Sequence, residues 1–560
     1  MQIDVTSGAA ASRLLADGSF ERAWGSLAGQ CPWATIYQSI AFARTWFACY
    51  PRYAPVIVSV AAASGGLDAL MVLAADPQGR IVGAPGLQQC EYQAWLQSAQ
   101  APDDFVASAL AELARRFRLR TLVFKYLPGA MNIDALQRSR NLRSRMAVRQ
   151  QQRALWNFAE RSADESLRKK SNKSKLSRLG RGGAVELVQI HSAEQFKASL
   201  REMAPLYDFR QLALHGSAPF VEDDRKYDFH ERLFELSPPM LHASELRVGS
   251  TAVSMVLGFV TGTQIHLAIV AHRADFAEHS VNKMHLLLLA RALAGQGMQC
   301  MDLTPGDDEW KTRHATQIDH VVELTLFAQR RAWYVWKLRS ETRNMLKRLA
   351  GSVGVTRETV RAALQLRSSL LRLTPAKIVR RLRPQAAEYR VYRLALTSEP
   401  GASSTARRNV ASDLLQYPAQ FDEKQAFLST ALARIEAGHN VYTVAEGGRL
   451  LHCGWMSLDE KASFFTEVQQ SFEYPEVGAV LYDFWSLPAA RGRGLYQSTL
   501  RRMLADAMRV PNIRYAYISC LASNAASRHV IEKMGFIHFA SIHRTAGRRP
   551  SNTVVLAPET

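Results

Sequence analysis

Cysteine is scarce in this chain: six in 560 residues, at Cys31, Cys49, Cys90, Cys300, Cys453 and Cys520, with no Cys-x-x-Cys pair. That scatter argues against a disulfide framework or a zinc ribbon and fits a reducing compartment. Long apolar runs are missing too. VIVSVAAA and HLLLLARALAG stop well short of the roughly 18 residues that a bilayer span needs. The opening residues, MQIDVTSGAAASRLLADGSF, lack a basic stretch followed by an apolar core, so no secretory signal is expected. These absences predict a cytoplasmic protein, with a peripheral seat at the inner face of a membrane left open. Acidic residues are outnumbered, 50 against 70 basic ones, for a formal charge of +20. What remains, 47% hydrophobic and 21% charged, is the balance of a chain that folds around cores. Its length predicts about three to five structural units at roughly 100–200 residues each.

The positive charge is concentrated. Residues 330–383 hold fifteen Lys or Arg against Glu341 and Glu358, which is thirteen of the chain's net charges. The stretch is rich in Leu, Ala and Arg and reads as two or three helices broken near residues 351–354 and at Pro375. Trp333, Trp336 and Leu338 start an apolar stripe that Met345, Leu346 and Leu349 continue. Such a segment is either a solvated connector or a dock for an anionic partner: a carrier protein, a membrane surface or RNA. No nucleic-acid motif accompanies it.

On either side of this connector, strands and helices alternate. SIAFARTWFACY reads as a helix, and APVIVSVAAA, DALMVLAA and LRTLVFKYL as strands. A basic helical segment, LRKKSNKSKLSRLGRGG, follows. A second set runs from a long helix beginning at Ala193 through SELRVG, TAVSMVLGFV and TQIHLAIVA to the helix VNKMHLLLLARALAG and the strand QCMDLTP. After the connector come YRVYRLAL, the helices ARRNVASDLLQ (406–416) and QAFLSTALARIEAG, the hairpin VYTVAEGGRLLHCGWMSL, the strand VGAVLYDFWSL and a glycine-rich turn and helix. The expectation is an α/β chain of three mixed units and a basic connector, divided as 1–165, 166–329, 330–384 and 385–560.

The stretch LYDFWSLPAARGRGLYQSTLRRMLADAM carries the clearest chemistry. A strand runs into Pro488, then the turn Arg491-Gly492-Arg493-Gly494, then an amphipathic helix from Leu495. Glycines at a strand-to-helix turn let backbone N–H groups approach an anion, and the helix N-terminus adds about half a positive charge. Arg491 and Arg493 contribute bidentate donors. The pattern is a pyrophosphate cradle, and it is neither the Rossmann fingerprint nor a P-loop. A second half follows: the strand YAYISCL, then Asn524-Ala525-Ala526-Ser527 and VIEKMGF.

These two segments, P-A-A-R-G-R-G-L and N-A-A-S-(x)5-E-K-M-G-F, resemble motifs A and B of the GNAT N-acetyltransferase superfamily. The resemblance implies a CoA thioester, acetyl-CoA or another acyl-CoA, held by the backbone from Arg491 through Gly492, Arg493, Gly494 and Leu495 to Tyr496. It implies Asn524 near the point where two strands splay to admit the acyl-pantetheine. Two positions depart from the family: Tyr496 stands where Gly or Ala is usual, and Ile531 stands where a tyrosine often protonates the leaving thiolate. Acyl transfer to an amine also needs a proton acceptor. Asp483, on the strand before the cradle, is the nearest carboxylate in the sequence, with Glu467 and Glu476 upstream, and a solvated strand-end carboxylate is the plain alternative. His529 reads as an exposed helix residue.

Residues 280–315 are similar to FemAB-like, CelD-type acyltransferases associated with exopolysaccharide and cellulose biosynthesis. The matching positions are Ser280, Gly297, Asp302, Gly306-Asp307 and Lys311, with a basic helix at 171–181 and Trp310 where the family usually has tyrosine. The resemblance spans about 20–329 and implies two fused GNAT-like halves. Asp302 and Lys311 either bracket a polar substrate or form an ordinary ion pair. His266, His272, His279 and His285 crowd one region but carry no paired carboxylate motif, so no metal is expected. Together these readings give an acyl-CoA-dependent transferase acting on an amine or hydroxyl of a small molecule or glycan precursor. An aminoacyl-tRNA-dependent transferase and a non-catalytic scaffold built on the same folds are the alternatives.

Overall fold

The computed structural model describes residues 3–63, 65–352, 386–397, 404–466, 468–545 and 552–557. They form two compact units, the first from residues 1–207, 219–272 and 279–349, the second from 208–218, 273–278 and 350–560.

The first unit holds two sheets. One runs in the order Asp4–Ser7, Ala54–Ala61, Leu67–Ala75, Ile81–Gly83, with Leu96–Gln97 also paired to Leu67–Ala75. Alternation of Val56, Val58 and Val60 against Ile57 buries both faces of strand Ala54–Ala61, one of them under the helix Phe105–Arg116. The other sheet is ordered Thr121–Leu127, Gln317–Phe327, Met146–Asn157, Cys300–Pro305, Gln264–His272, Thr251–Thr261, Leu241–Val248, Val185–Gln189. An apolar cluster built on Phe42, Trp46, Phe229 and Phe259 joins the two sets of elements.

The expected division at 165–166 falls within helix Ala163–Arg168, after two strands of the second sheet and before their partners. Strand Met146–Asn157 pairs with Gln317–Phe327 on one edge and Cys300–Pro305 on the other, so the line would cut through one hydrogen-bonded ladder. The connector also differs from its reading. A single 23-residue helix, Arg330–Ser352, covers its first part and runs into the break expected at 351–354, while the rest of that break and Pro375 lie outside the described residues. Trp333 anchors this helix through its indole N–H to the Met146 carbonyl at 2.8 Å. Leu338 and Met345, placed on the apolar stripe, are exposed.

The second unit is one sheet in the order Arg407–Arg408, Asn440–Glu446, Arg449–Phe465, Gln470–Ser486, Tyr515–Leu521, Ala387–Ala395, Ile537–Arg544, Asn552–Leu556. Helix Leu495–Met508 lays Leu500, Met503 and Leu504 on Tyr442, Met456 and Leu481. A helix was expected at 406–416; the segment instead makes the short strand Arg407–Arg408 and a single turn, Ala411–Leu414, because Asp413 turns inward to bond Arg407 and Thr443. Among the described residues, no helix is long and apolar enough to cross a membrane.

Candidate functional sites

Each unit contains a parallel strand pair that comes apart. In the second unit, Gln470–Ser486 and Tyr515–Leu521 share rungs only from Gly478 opposite Tyr515 to Leu481 opposite Ile518. Past Leu481 the first strand bulges, with Asp483 at φ +50°. Residues 482–486 and 519–521 therefore flank a slot in the sheet. The chain leaves it through the turn Pro488–Ala490 and enters helix Leu495–Met508, the cradle helix.

Gly492 (φ +79°) and Gly494 (φ +72°) are both left-handed, and Gly494 caps the cradle helix. Among the described residues, a Cβ at either position would meet nothing within 4 Å. Glycine is therefore required by backbone conformation and not by crowding, and the turn is open to a ligand. The first N–H groups of the helix have no intrahelical acceptor, which leaves donors and partial positive charge at this opening. Arg491 is exposed, and Arg493 reaches Glu446 at 2.9 Å while remaining half exposed. Leu495 and Tyr496 are half-buried. The Tyr496 ring lies 4.6 Å from that of Phe484, and its hydroxyl is 3.2 Å from Ser527 Oγ. Burial pushes this phenol above its ordinary pKa, so it is protonated at neutral pH.

The other expected residues occupy different settings. Asn524 caps helix Ala525–Lys533 by accepting the Ser527 N–H at 3.2 Å. Ile531 is fully buried among Leu500, Leu504 and Phe536 and supplies no proton donor. Asp483 is 58% exposed and paired at 2.5 Å with Arg434, which also lies over the Trp455 and Tyr482 rings. Its charge is thus neutralised at the slot's edge. Glu476 and His529 are exposed, and Glu467 lies outside the described residues. Sequence reasoning missed His452, fully buried on strand Arg449–Phe465, whose Nδ1 is 2.7 Å from Ser486 Oγ. Desolvation pushes it down to about 4, leaving it neutral.

In the first unit the parallel pair is Gln264–His272 with Cys300–Pro305. It has three rungs, the last joining His266 to Asp302. Thr304 then turns at φ +67° and the strands diverge. The connecting helix, Val281–Gly295, is capped by Ser280 at φ +53°. Lys175 donates to Ser280 Oγ at 2.6 Å, and Lys283 donates to Asn172 Oδ1 at 2.8 Å. Burial holds the Lys283 ammonium below its usual pKa, helped by Lys175, Lys169 and Arg313. This helix start therefore gathers cations where the cradle has glycines.

Asp302 is completely buried. It accepts from Tyr92 Oη at 2.5 Å, from His266 Nδ1 at 3.0 Å and from the Thr304 N–H at 2.8 Å, with Arg153 at 3.6 Å. Burial alone would raise its pKa; the bonds and charges of His266, Arg153 and Tyr92 outweigh it and keep the carboxylate ionised. Arg153 is itself held by Asp319 and lies over the Tyr92 ring at 5.6 Å. Lys311 is 7% exposed and donates to Pro305 O at 3.0 Å, with Thr304 and Asp308 close by. Asp302 and Lys311 thus grip the same turn without pairing to each other. Glu91, which sequence reasoning overlooked, is pushed up to about 7 by burial, with Lys311 and Lys125 opposing that rise and Asp302 adding to it.

The four histidines of this region separate. His266 serves Asp302, and His272 Nδ1 is 2.8 Å from Asn282. His285 has both nitrogens satisfied by Ser244 and Ser254, at 3.0 and 2.9 Å. Among the described residues, no group of three His, Cys, Asp or Glu side chains is arranged to hold a metal ion.

Two family models match the chain, each described as an acetyltransferase (GNAT) domain, one over residues 166–312 and the other over 380–537. No curated protein matches. Similar solved structures include a putative GNAT-family acetyltransferase from Novosphingobium aromaticivorans, 19% identical, covering 29% of this chain and 65% of its own with a TM-score of 0.21. FemX is 12% identical, covering 56% of this chain and 98% of its own at a TM-score of 0.38. The C-terminal domain of a putative lysylphosphatidylglycerol synthetase from Agrobacterium fabrum is 10% identical, covering 58% and 95% at 0.36. The two domain matches fall on the two splayed strand pairs and their connecting helices, and on that ground the chain belongs to the GNAT superfamily of acyltransferases.

Proposed function

We propose that the protein transfers an acyl group from acetyl-CoA or another acyl-CoA to an amine or hydroxyl of a small-molecule or glycan-precursor acceptor. The observation that carries this reading is the C-terminal cradle. A left-handed glycine caps a helix at the mouth of a splayed parallel pair, and among the described residues nothing lies within 4 Å of where its Cβ would be. Backbone N–H groups there suit a pyrophosphate, Arg491 is exposed to add charge, and the slot between residues 482–486 and 519–521 is the place for an extended thioester arm. Attack by the acceptor forms the new C–N or C–O bond and breaks the C–S bond, so the acceptor's proton needs a base and the departing thiolate an acid. The neutral Tyr496 phenol, beside Ser527, takes the role of acid that Ile531 leaves vacant. The resemblance of residues 280–315 to CelD-type acyltransferases favours a sugar or envelope precursor as acceptor.

Calorimetric titration of acetyl-CoA into the full-length protein, with CoA as control, tests the donor. At least one equivalent is expected to bind. No heat up to millimolar ligand, which means binding weaker than about −4 kcal/mol, overturns the reading. An aminoacyl-tRNA donor is the second reading, favoured by Lys169, Lys175 and Lys283, whose charges gather around the start of helix Val281–Gly295. Retention of tRNA that falls steeply with salt would support it.

A further inference from the structure

The two slots differ at their last rung. In the C-terminal unit the strands part after Leu481 and Ile518, two apolar side chains. In the N-terminal unit they part after His266 and Asp302. We propose that the N-terminal slot is a second acyl-transfer site, in which His266 Nε2 takes the proton of the attacking amine, hydroxyl or water and Asp302 holds the imidazole. This rests on the acyl-thioester reading given above.

Three observations carry it. Asp302 is ionised and can only accept, so the Nδ1–H of His266 points at it, and in the neutral imidazole Nε2 is the nitrogen with the lone pair. The carboxylate is in turn fixed by Tyr92, the Thr304 N–H and Arg153, which keeps the imidazole in one orientation. Finally, Nε2 is buried, on a residue 1% exposed, and has no hydrogen-bond partner among the described residues. A purely structural histidine in this unit, His285, has both nitrogens bonded to serine hydroxyls. His452 also has an open Nε2, but its Nδ1 meets Ser486 and not a carboxylate.

The step balances simply. The acceptor X–H attacks the thioester carbon, X–C forms, and the proton passes from X to Nε2. Collapse breaks C–S, the thiolate takes that proton back from the imidazolium, and the products are the acylated acceptor and free CoA thiol. The groups facing the imidazole are Tyr37 from the turn Ile36–Gln38, Tyr92, Asp302 and, through Asp302, Arg153, with Glu91 and Lys311 behind them.

The test uses full-length protein carrying Gly494→Glu, which disables the C-terminal cradle, and follows thiol release from acetyl-CoA with water and with hydroxylamine as acceptors. Residual release is expected to rise with pH, as catalysis by a base requires. Adding His266→Gln is expected to lower it at least about 100-fold and to flatten the rise, without loss of the thermal transition. His266→Asn provides the same reading if the Gln variant does not fold, and Asp302→Asn lowers the rate as well. Equal rates with and without His266 overturn the proposal, as does a pH rise abolished by Glu91→Gln. Release by the wild type but none by Gly494→Glu overturns it and leaves the C-terminal reading intact. No thiol release by the wild type overturns both.

Discussion

Replacing Gly494 by alanine and by glutamate separates what the cradle does for folding from what it does for binding. The residue sits at φ +72°, and no atom of the described residues lies within 4 Å of where its Cβ would be. Alanine therefore meets no clash and loses only the left-handed conformation, about 1–2 kcal/mol. Glutamate loses the same amount and adds a negative charge at the helix start. At roughly 5 Å from a ligand phosphate, with an effective dielectric of about 20, that charge costs about 3 kcal/mol of binding. The expected pattern is equal melting temperatures for the two variants, a few degrees below wild type. Acetyl-CoA affinity should be within a few-fold of wild type for Gly494→Ala and on the order of 100-fold weaker for Gly494→Glu. Differential scanning fluorimetry and titration calorimetry read the two quantities on the same samples. A glutamate variant that binds acetyl-CoA as tightly as the alanine variant would refute the reasoning, because no phosphate could then lie at that turn.

Burial holds His230, His242, His314 and His452 down to about 4 and His285 to about 3, against 6.5 when free. Their folded-state values are depressed, so the stability they contribute is complete above pH 6.5 and is lost as pH falls toward 4. Near pH 5 the unfolded chain binds more protons than the folded one at all five positions, so the urea midpoint should fall between pH 6.5 and 5, and a midpoint that stays flat contradicts it. Glu91 has the opposite sign: its value is raised to about 7, so stability is complete below 4.5 and is lost as pH rises through 7. Glu91→Gln is expected to be more stable than wild type above pH 7 by on the order of 2 kcal/mol, with the difference vanishing below pH 4.5 in paired denaturant titrations. Gly454→Ala places a Cβ 2.4 Å from Phe484 ring carbons and 3.0 Å from Met503 Cε. It should cost about 2–3 kcal/mol in the unfolding of the C-terminal unit, and a loss under about 0.5 kcal/mol would mean that Phe484 turns aside freely.

The cradle was legible because its chemistry is local: glycines at the turn, an amphipathic helix after it, and a second helix at a fixed spacing are all contiguous in the chain. Buried apolar strands such as Ala54–Ala61 and Thr251–Thr261 were legible for the same reason, since hydrophobic runs announce themselves. Strand Met146–Asn157 was not. Its centre is Arg149, Gln150, Gln151, Gln152 and Arg153, which carries no apolar alternation, yet it is paired along both edges. The side chain it contributes to the interior, Arg153, is there to serve Asp302 and Asp319, so a polar run in mid-sheet was itself the signal. Asp302 and Lys311 were picked out by motif. Their partners Tyr92 and Glu91 lie more than two hundred residues earlier and share no pattern with them. Asp483 shows the reverse failure: its sequence position beside the cradle says nothing about Arg434, whose guanidinium claims it.

The hydrogen bond between Tyr496 and Ser527 has a consequence for speed. It ties the first turn of the cradle helix to the first turn of Ala525–Lys533, across the end of the slot. A ligand arm lying between those turns must part that bond and shift the Phe484 ring that packs against Tyr496. Loading is then limited by how often the protein opens, so the observed association rate levels off as ligand concentration rises. Tyr496→Phe, which keeps the ring and removes the tie, should fill the slot faster while leaving most of the equilibrium affinity in place.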